Sequence, residues 1–296
     1  MNKKTFKYLR PKSPSEACNL KDKYGEKAKF WAGGTDLLLQ WQEEKNSLDY
    51  CIDLTFIPEL EYIKKSTDKI SFGSLTKVST IEESLNINNS LSIIQNSAGE
   101  LGPPGIRTTA TIGGNICHAA PSADLATPLI VLGAEAKILS SNGERRIKMD
   151  QFFHHVNHTD LKEDELLTEI NVPLPPAETA TCFLKVGRTV IDIAIVNMSA
   201  RATMDEAGII TDIRIAFGAV APTPIRLPKA EEMLIGSNVS KINENLITEI
   251  SELAAKEVKP ITDVRGTEEY RREISKVLTK RALENIIEDL RNRRKA

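Results

Sequence analysis

Aromatic residues are scarce, 5% of 296 residues, too few to build a stacking platform for single-stranded nucleic acid. Cysteine is scarce and scattered: Cys18, Cys51, Cys117 and Cys182 stand far apart, and no CxxC pair occurs. That spacing excludes a zinc ribbon and an iron–sulfur cluster held by this chain alone. Unpaired thiols also point to a reducing compartment. Long hydrophobic runs are missing. The longest, Leu129 to Ala134, spans about six residues, against the ~20 needed to cross a bilayer. The polar start, MNKKTFKYLRPKSPSE, lacks the apolar centre of a signal peptide. No one sign of charge dominates, since 39 basic and 41 acidic side chains leave a formal charge of −2. No global field recruits nucleic acid or anionic lipid. The expectation is a cytosolic protein with neither nucleic-acid nor membrane partners.

Familiar nucleotide and hydrolase motifs are absent too. Without GxGxxG or GxxxxGK[ST], a Rossmann site and a P-loop are excluded. Without GxSxG there is no α/β-hydrolase elbow.

What is present is a globular composition, 41% hydrophobic and 27% charged, and a length suited to about two domains. Residues 4–9 read as a strand. Ser13, Pro14 and Glu16 form a capping box that starts a helix ending near Gly25. Strands at 29–31 and 50–54 flank a helical run at 37–39, giving β-α-β-α-β over a first lobe of about 1–57. In a second lobe, about 58–176, residues 70–73 read as a strand. Thr80 and Glu83 read as a second capping box, with helices following at 91–98 and 125–132. Asn142-Gly143 marks a hairpin between 136–139 and 145–147. Pro173, Pro175 and Pro176 set a boundary. Beyond it, 177–296 reads as an antiparallel meander (strands 182–186, 193–204 and 209–218) with helices at 229–235, 243–257 and 267–291 on one face.

Two glycine pairs carry the chemistry. In Ala32-Gly33-Gly34-Thr35-Asp36, after a strand and before a helix, glycine lets a ligand approach main-chain N–H groups, and the helix start favours a phosphate. In Thr111-Ile112-Gly113-Gly114-Asn115, small residues are joined by hydrogen-bonding Thr111, Asn115 and Ser122. Asp124 offers an acceptor for ribityl or ribose hydroxyls. A single Gly-Gly is adequately read as a tight turn; two of them, each leading to a helix, suggest a pyrophosphate held from both sides. His154 and His158 have an i,i+4 metal-ligand spacing if helical, although Asn157 and Thr159 suggest a loop. The basic tail, 291–295, reads as a solvated helix end.

AGGTDLL at 32–38 and TIGGNICHAAPSADLATPLIVLGAEAKI at 111–138 resemble the two flavin-binding signatures of the FAD subunit of the xanthine dehydrogenase family of molybdenum hydroxylases, shared with carbon monoxide dehydrogenase medium subunits. FLKVGRTVIDIAIVN at 183–197 is similar to the start of that family's C-terminal flavoprotein domain. The resemblance implies an α+β protein. A two-lobed α/β FAD-binding domain of vanillyl-alcohol-oxidase/PCMH type would span 1–176, followed by an antiparallel sheet with helices on one face at 177–296. It implies that Phe30, Trp31, Ala32, Gly33, Gly34, Thr35, Asp36 and Leu37 wrap the FAD pyrophosphate, with Thr111, Ile112, Gly113, Gly114 and Asn115 on the other side. It also implies that Asp124 meets sugar hydroxyls, Leu101 packs on the flavin, Leu167 touches the adenine side and Lys185 approaches the flavin ring. Ile193 stands where some members have tyrosine, which favours a flavin open to a nicotinamide. No residue of this chain is expected to be catalytic or to bind metal. The implied partners are a [2Fe–2S] subunit and a molybdopterin subunit, in a complex that is itself dimerised, with NAD(P)+ as acceptor. Within the family its length and overall look resemble nicotinate dehydrogenase FAD subunits that use NADP+, with xanthine, purine or CO dehydrogenase subunits as alternatives. Outside it, a stand-alone flavin oxidoreductase of the same fold and a non-enzymatic nucleotide-binding module remain.

Overall fold

The computed structural model describes residues 5–43, 48–87 and 91–295; residue 4 of the first expected strand lies outside them. The first lobe follows the expected order: β1 (Lys7–Leu9), α1 (Pro14–Tyr24), β2 (Ala28–Trp31), α2 (Leu37–Gln42) and β3 (Tyr50–Asp53). Its three strands are parallel in the order β1-β3-β2, because each return passes through a helix. Ser13 Oγ accepts from the Glu16 N–H at 3.2 Å, as a cap should. The return bond differs, since Glu16 Oε2 accepts from Lys12 N–H at 2.7 Å, one residue before the cap.

The second lobe holds β4 (Ile63–Lys65), β5 (Lys69–Gly73), α3 (Val78–Glu82), α4 (Ser92–Gly99), α5 (Pro104–Arg107), α6 (Ile112–His118) and α7 (Ala126–Val131). The chain continues through β6 (Glu135–Ser140), β7 (Gly143–Lys148), β8 (Phe153–His155), β9 (His158–Thr159) and β10 (Leu166–Pro173). Five of these strands form one antiparallel sheet, β4-β5-β10-β6-β7. The expected capping box at Thr80 is not formed. Lys77 bridges Thr111, and the Val78 N–H donates to Ala110 O at 3.0 Å, so α3 starts at Val78 and Thr80 lies inside it. The central strand β10 was not expected. A bulge between Leu167 and Glu169 shifts the register against β6, which breaks the two-residue alternation by which a strand is read. His155 and His158 face each other across the β8–β9 hairpin, not along a helix, and His154 Nε2 lies 3.0 Å from Asp160 Oδ1.

The C-terminal part is a meander, β11 (Thr179–Val186), β12 (Val196–Met204), β13 (Ile210–Gly218) and β14 (Ile225–Arg226), followed by α8 (Pro228–Glu232), α9 (Glu244–Glu257) and α10 (Glu268–Lys295). Helix α10 lies on β11 and β12, and α9 lies along α10. The opposite face takes α7 from the second lobe. With both faces covered, every residue of β12 is buried, which accounts for a strand that does not alternate. The strand begins at Val196; residues 193–195 belong to a loop that the Ile195 N–H closes on Val186 O at 2.7 Å. The basic tail is no free helix end: Arg291 donates to Val239 O and Ile242 O at 2.9 and 2.6 Å, pinning α10 to the chain before α9. Among the described residues, no helix is long and apolar enough to cross a membrane.

Candidate functional site

A groove of about 880 Å³ runs between the turn after β2, the start of α6, the segment before α7, and Ile191 to Ile193 of the loop before β12. Both glycine pairs reach it, and their geometry explains why each contains two glycines. A Cβ on Gly33 would stand 2.3 Å from Thr109 O, and one on Gly113 would stand 2.5 Å from Ser74 O. These two residues are backbone-to-backbone seats. Gly33 fixes the first motif to the chain entering the second, so the two walls of the groove are one unit. Gly34, at φ +70, is covered by the Trp31 ring, 2.4 Å from where its Cβ would be; no side chain fits there and the backbone is left-handed.

The two walls offer different chemistry. Asp36 makes no side-chain cap at the start of α2. Among the described residues, the backbone N–H groups of Gly34, Thr35 and Asp36 donate to no oxygen of the chain. At α6 the main-chain donors are already used. Ile112 N–H goes to Thr76 O, Gly113 N–H to Ser74 O, and Gly114 N–H to Thr111 Oγ1, at 2.9 to 3.0 Å. That wall presents side chains, and one is an orphan: Asn115 Oδ1 is buried without a partner, a condition few native polar atoms keep without a donor nearby. His118 Nε2 lies 3.6 Å from Asp36 Oδ1, tying the walls together. Burial pushes the Cys117 thiol up to about 12, so it lines the groove as a neutral group.

Asp124 closes the floor. Its Oδ2 accepts from Lys185 Nζ at 2.8 Å and its Oδ1 from Asn197 Nδ2 at 3.0 Å. Lys185 Nζ also donates to Glu100 O at 2.6 Å, and its side chain is 2% exposed. Burial pushes the Asp124 carboxyl up to about 6 against the pull of Lys185 and Asn197. The network continues inward, with Thr127 Oγ1 donating to Asn197 Oδ1 and Ser199 Oγ to Thr127 Oγ1.

The structure thus brings Phe30, Ala32 to Leu37, Leu101, Thr111, Gly114, Asn115, Asp124 and Ile193 to one groove. Trp31, Ile112 and Gly113 stand behind its walls. Leu167 is not brought there; it is 2% exposed within the core of the second lobe. Lys185 reaches the groove through Asp124. Ile193, 48% exposed, borders the opening. Sequence reading missed Asn197 as a site residue, 73 positions from Asp124. The available signal was an amide inside a strand otherwise made to be buried.

Two family models cover the chain: the FAD binding domain in molybdopterin dehydrogenase matches residues 4–175, and the CO dehydrogenase flavoprotein C-terminal domain matches residues 181–286. The glyceraldehyde dehydrogenase medium chain of Sulfolobus acidocaldarius is 31% identical over 95% of this chain and 98% of its own. The nicotinate dehydrogenase FAD-subunit of Eubacterium barkeri is 30% identical over 79% of this chain and 81% of its own. Among solved structures, a chain of the carbon monoxide dehydrogenase of Hydrogenophaga pseudoflava, in a form lacking the Mo-pyranopterin moiety of the cofactor, superposes with a TM-score of 0.91 at 30% identity, covering 97% of this chain and 98% of that one.

Proposed function

Since the chain belongs to the FAD-binding subunits of the molybdopterin dehydrogenase family, we propose that it is the electron-transfer subunit of a molybdenum hydroxylase, receiving electrons from [2Fe–2S] centres on one partner and passing them through FAD to NAD(P)+. A second partner, carrying molybdopterin, holds the organic substrate and performs the hydroxylation. The names of the relatives support this division: they are medium chains and FAD-subunits of larger enzymes.

The observation that carries the flavin reading is the pair of Gly-Gly walls, the first seated through Gly33 on the chain entering the second, around a groove of about 880 Å³, with a buried, unpartnered acceptor at Asn115. That volume lies within the range of small-molecule sites, and FAD, rich in hydroxyl donors, fits the donor set. FAD supplies the redox chemistry, accepting and releasing electrons when bound. The protein holds and tunes. The free N–H groups of Gly34 to Asp36 take the phosphates. Asn115 and Asp124 accept from hydroxyls, and Leu101 gives an apolar surface. Lys185 keeps the Asp124 carboxylate in place and places a positive charge behind the groove. Ile193 at the opening leaves room for a nicotinamide.

The finer reading is nicotinate hydroxylation with NADP+ as acceptor. Its support is likeness to the nicotinate dehydrogenase FAD-subunit at 30% identity, which the glyceraldehyde dehydrogenase medium chain exceeds at 31% and over more of the chain, so the assembled complex decides it. Purified chain should show flavin bands near about 370 and 450 nm and release FAD on acid treatment. It should oxidise NAD(P)H with a dye while hydroxylating nothing. A folded, colourless chain that takes up no FAD would sink the reading, and hydroxylation without partners would overturn the division of labour.

A further inference from the structure

Away from the groove, Arg201, Arg214 and Arg226 stand in a row across β12, β13 and β14. Arg201 and Arg214 are directly opposed in the antiparallel ladder, and Arg226 pairs with Ala216, two residues beyond Arg214. Like charges directly opposite one another destabilise a sheet, so the row requires negative partners. The chain supplies them in part. Glu231 holds Arg226 at 2.6 Å, while Asp212 contacts Arg201 and lies 3.7 Å from Arg214 Nε. Lys148 and Asp150 join the three arginines, so that four cations meet one acid in the lining and two more, Asp212 and Glu231, beside it.

Arg201, Arg214, Arg226, Lys148 and Asp150 line a cavity of about 270 Å³ whose apolar wall includes Ile130 and Met149. It shares no lining residue with the flavin groove. The Arg201 side chain is nine-tenths buried; one terminal nitrogen donates to Leu132 O, another meets Asp212, and its Nε has no partner. A buried guanidinium N–H without an acceptor is costly. Burial, with repulsion from Arg214 and Arg226, pushes Arg201 down to about 10. Arg214 Nη1 sits against Gly133, 2.7 Å from where a Cβ would stand, which leaves the guanidinium at the cavity with Asp212 3.7 Å from its Nε and Asp150 in the same lining.

We propose that this cavity binds a small phosphate group, free or as a monoester, with its oxygens on Arg201, Arg214 and Lys148 and any organic part against Ile130 and Met149. Forked guanidinium donors match an oxyanion that has several outward oxygens, and the volume admits little more than the phosphate and a short substituent. Titration calorimetry on the FAD-loaded full chain, at an ionic strength fixed with sodium chloride, tests it with inorganic phosphate and with glycerol 3-phosphate. Saturable binding is expected, weakened at least tenfold in Arg214→Gln and in Lys148→Gln, with flavin absorbance unchanged in both. Tighter binding of the ester identifies the ligand as an organic phosphate; equal or weaker binding identifies free phosphate. No saturable binding of either probe, or the same affinity in the parent and both variants, would overturn the site.

Discussion

At Asp124 three requirements meet in one carboxylate: it faces the groove, it neutralises Lys185, and it is bound by Asn197 from the C-terminal sheet. Its carboxyl is raised to about 6 by burial, above the ordinary value of about 3.9. Between these values the folded chain holds the proton more tightly than the unfolded one. The stabilisation from this group is therefore full below about pH 4 and is lost as pH rises to about 6. In urea unfolding of the FAD-free chain, Asp124→Asn should gain stability relative to the parent between pH 4 and 6 and run parallel to it above. A flat difference across that window would remove Asp124 as the titrating group. Lys185→Met leaves a buried carboxylate unpaired and should cost about 3–5 kcal/mol in the same measurement at pH 7. Gly114→Val puts a branched side chain on the groove wall, with its Cβ 2.9 Å from Thr111 Oγ1; FAD content should fall to near zero, read from the absorbance of purified protein. The glycine pairs and Asp124 were legible because special backbone and lone carboxylates near helix starts leave local marks. The Glu100 carbonyl and Asn197 were not, since a main-chain acceptor has no letter of its own and a strand amide finds its partner only through the tertiary fold.

At the scale of elements, the helices announced themselves where side chains cap them. Asn243 Oδ1 accepts from the Leu246 N–H at 3.0 Å to start α9, and Asn243→Ala should cost about 1 kcal/mol, seen as a lower melting temperature with FAD content unchanged. Thr80 misled because Ser/Thr and Glu spacing is also met inside a helix whose start is set from outside, here by Lys77 pairing with Thr111. Strand β10 stayed hidden for a related reason: its bulge lets Leu166 and Leu167 both be buried, which is no simple alternating pattern. The β-α-β-α-β lobe and the meander were legible because turns at Gly25 and Asp205 to Gly208 separate short, well-patterned runs.

In the whole molecule, the groove between the glycine pairs belongs to both parts of the chain. All six residues of α7 are buried, packed between the second-lobe core and the meander, and Lys185 and Asn197 reach Asp124 from beyond residue 176. A fragment ending at 176 would expose α7 and strip Asp124 of both donors. It should aggregate in size-exclusion chromatography and retain no FAD; a monomeric, yellow fragment would show the lobes to be self-sufficient. The topology of the second sheet has a consequence for biosynthesis. Strands β4–β5 and β6–β7 form two separate hairpins, and β10, made after both, is the strand that joins them. Until residue 173 leaves the ribosome each hairpin carries an open edge, the kind of surface that pairs with the wrong chain. The nascent subunit is thus most vulnerable to misassociation in the interval between the completion of its two glycine turns and the arrival of a strand that lines no part of the groove between them.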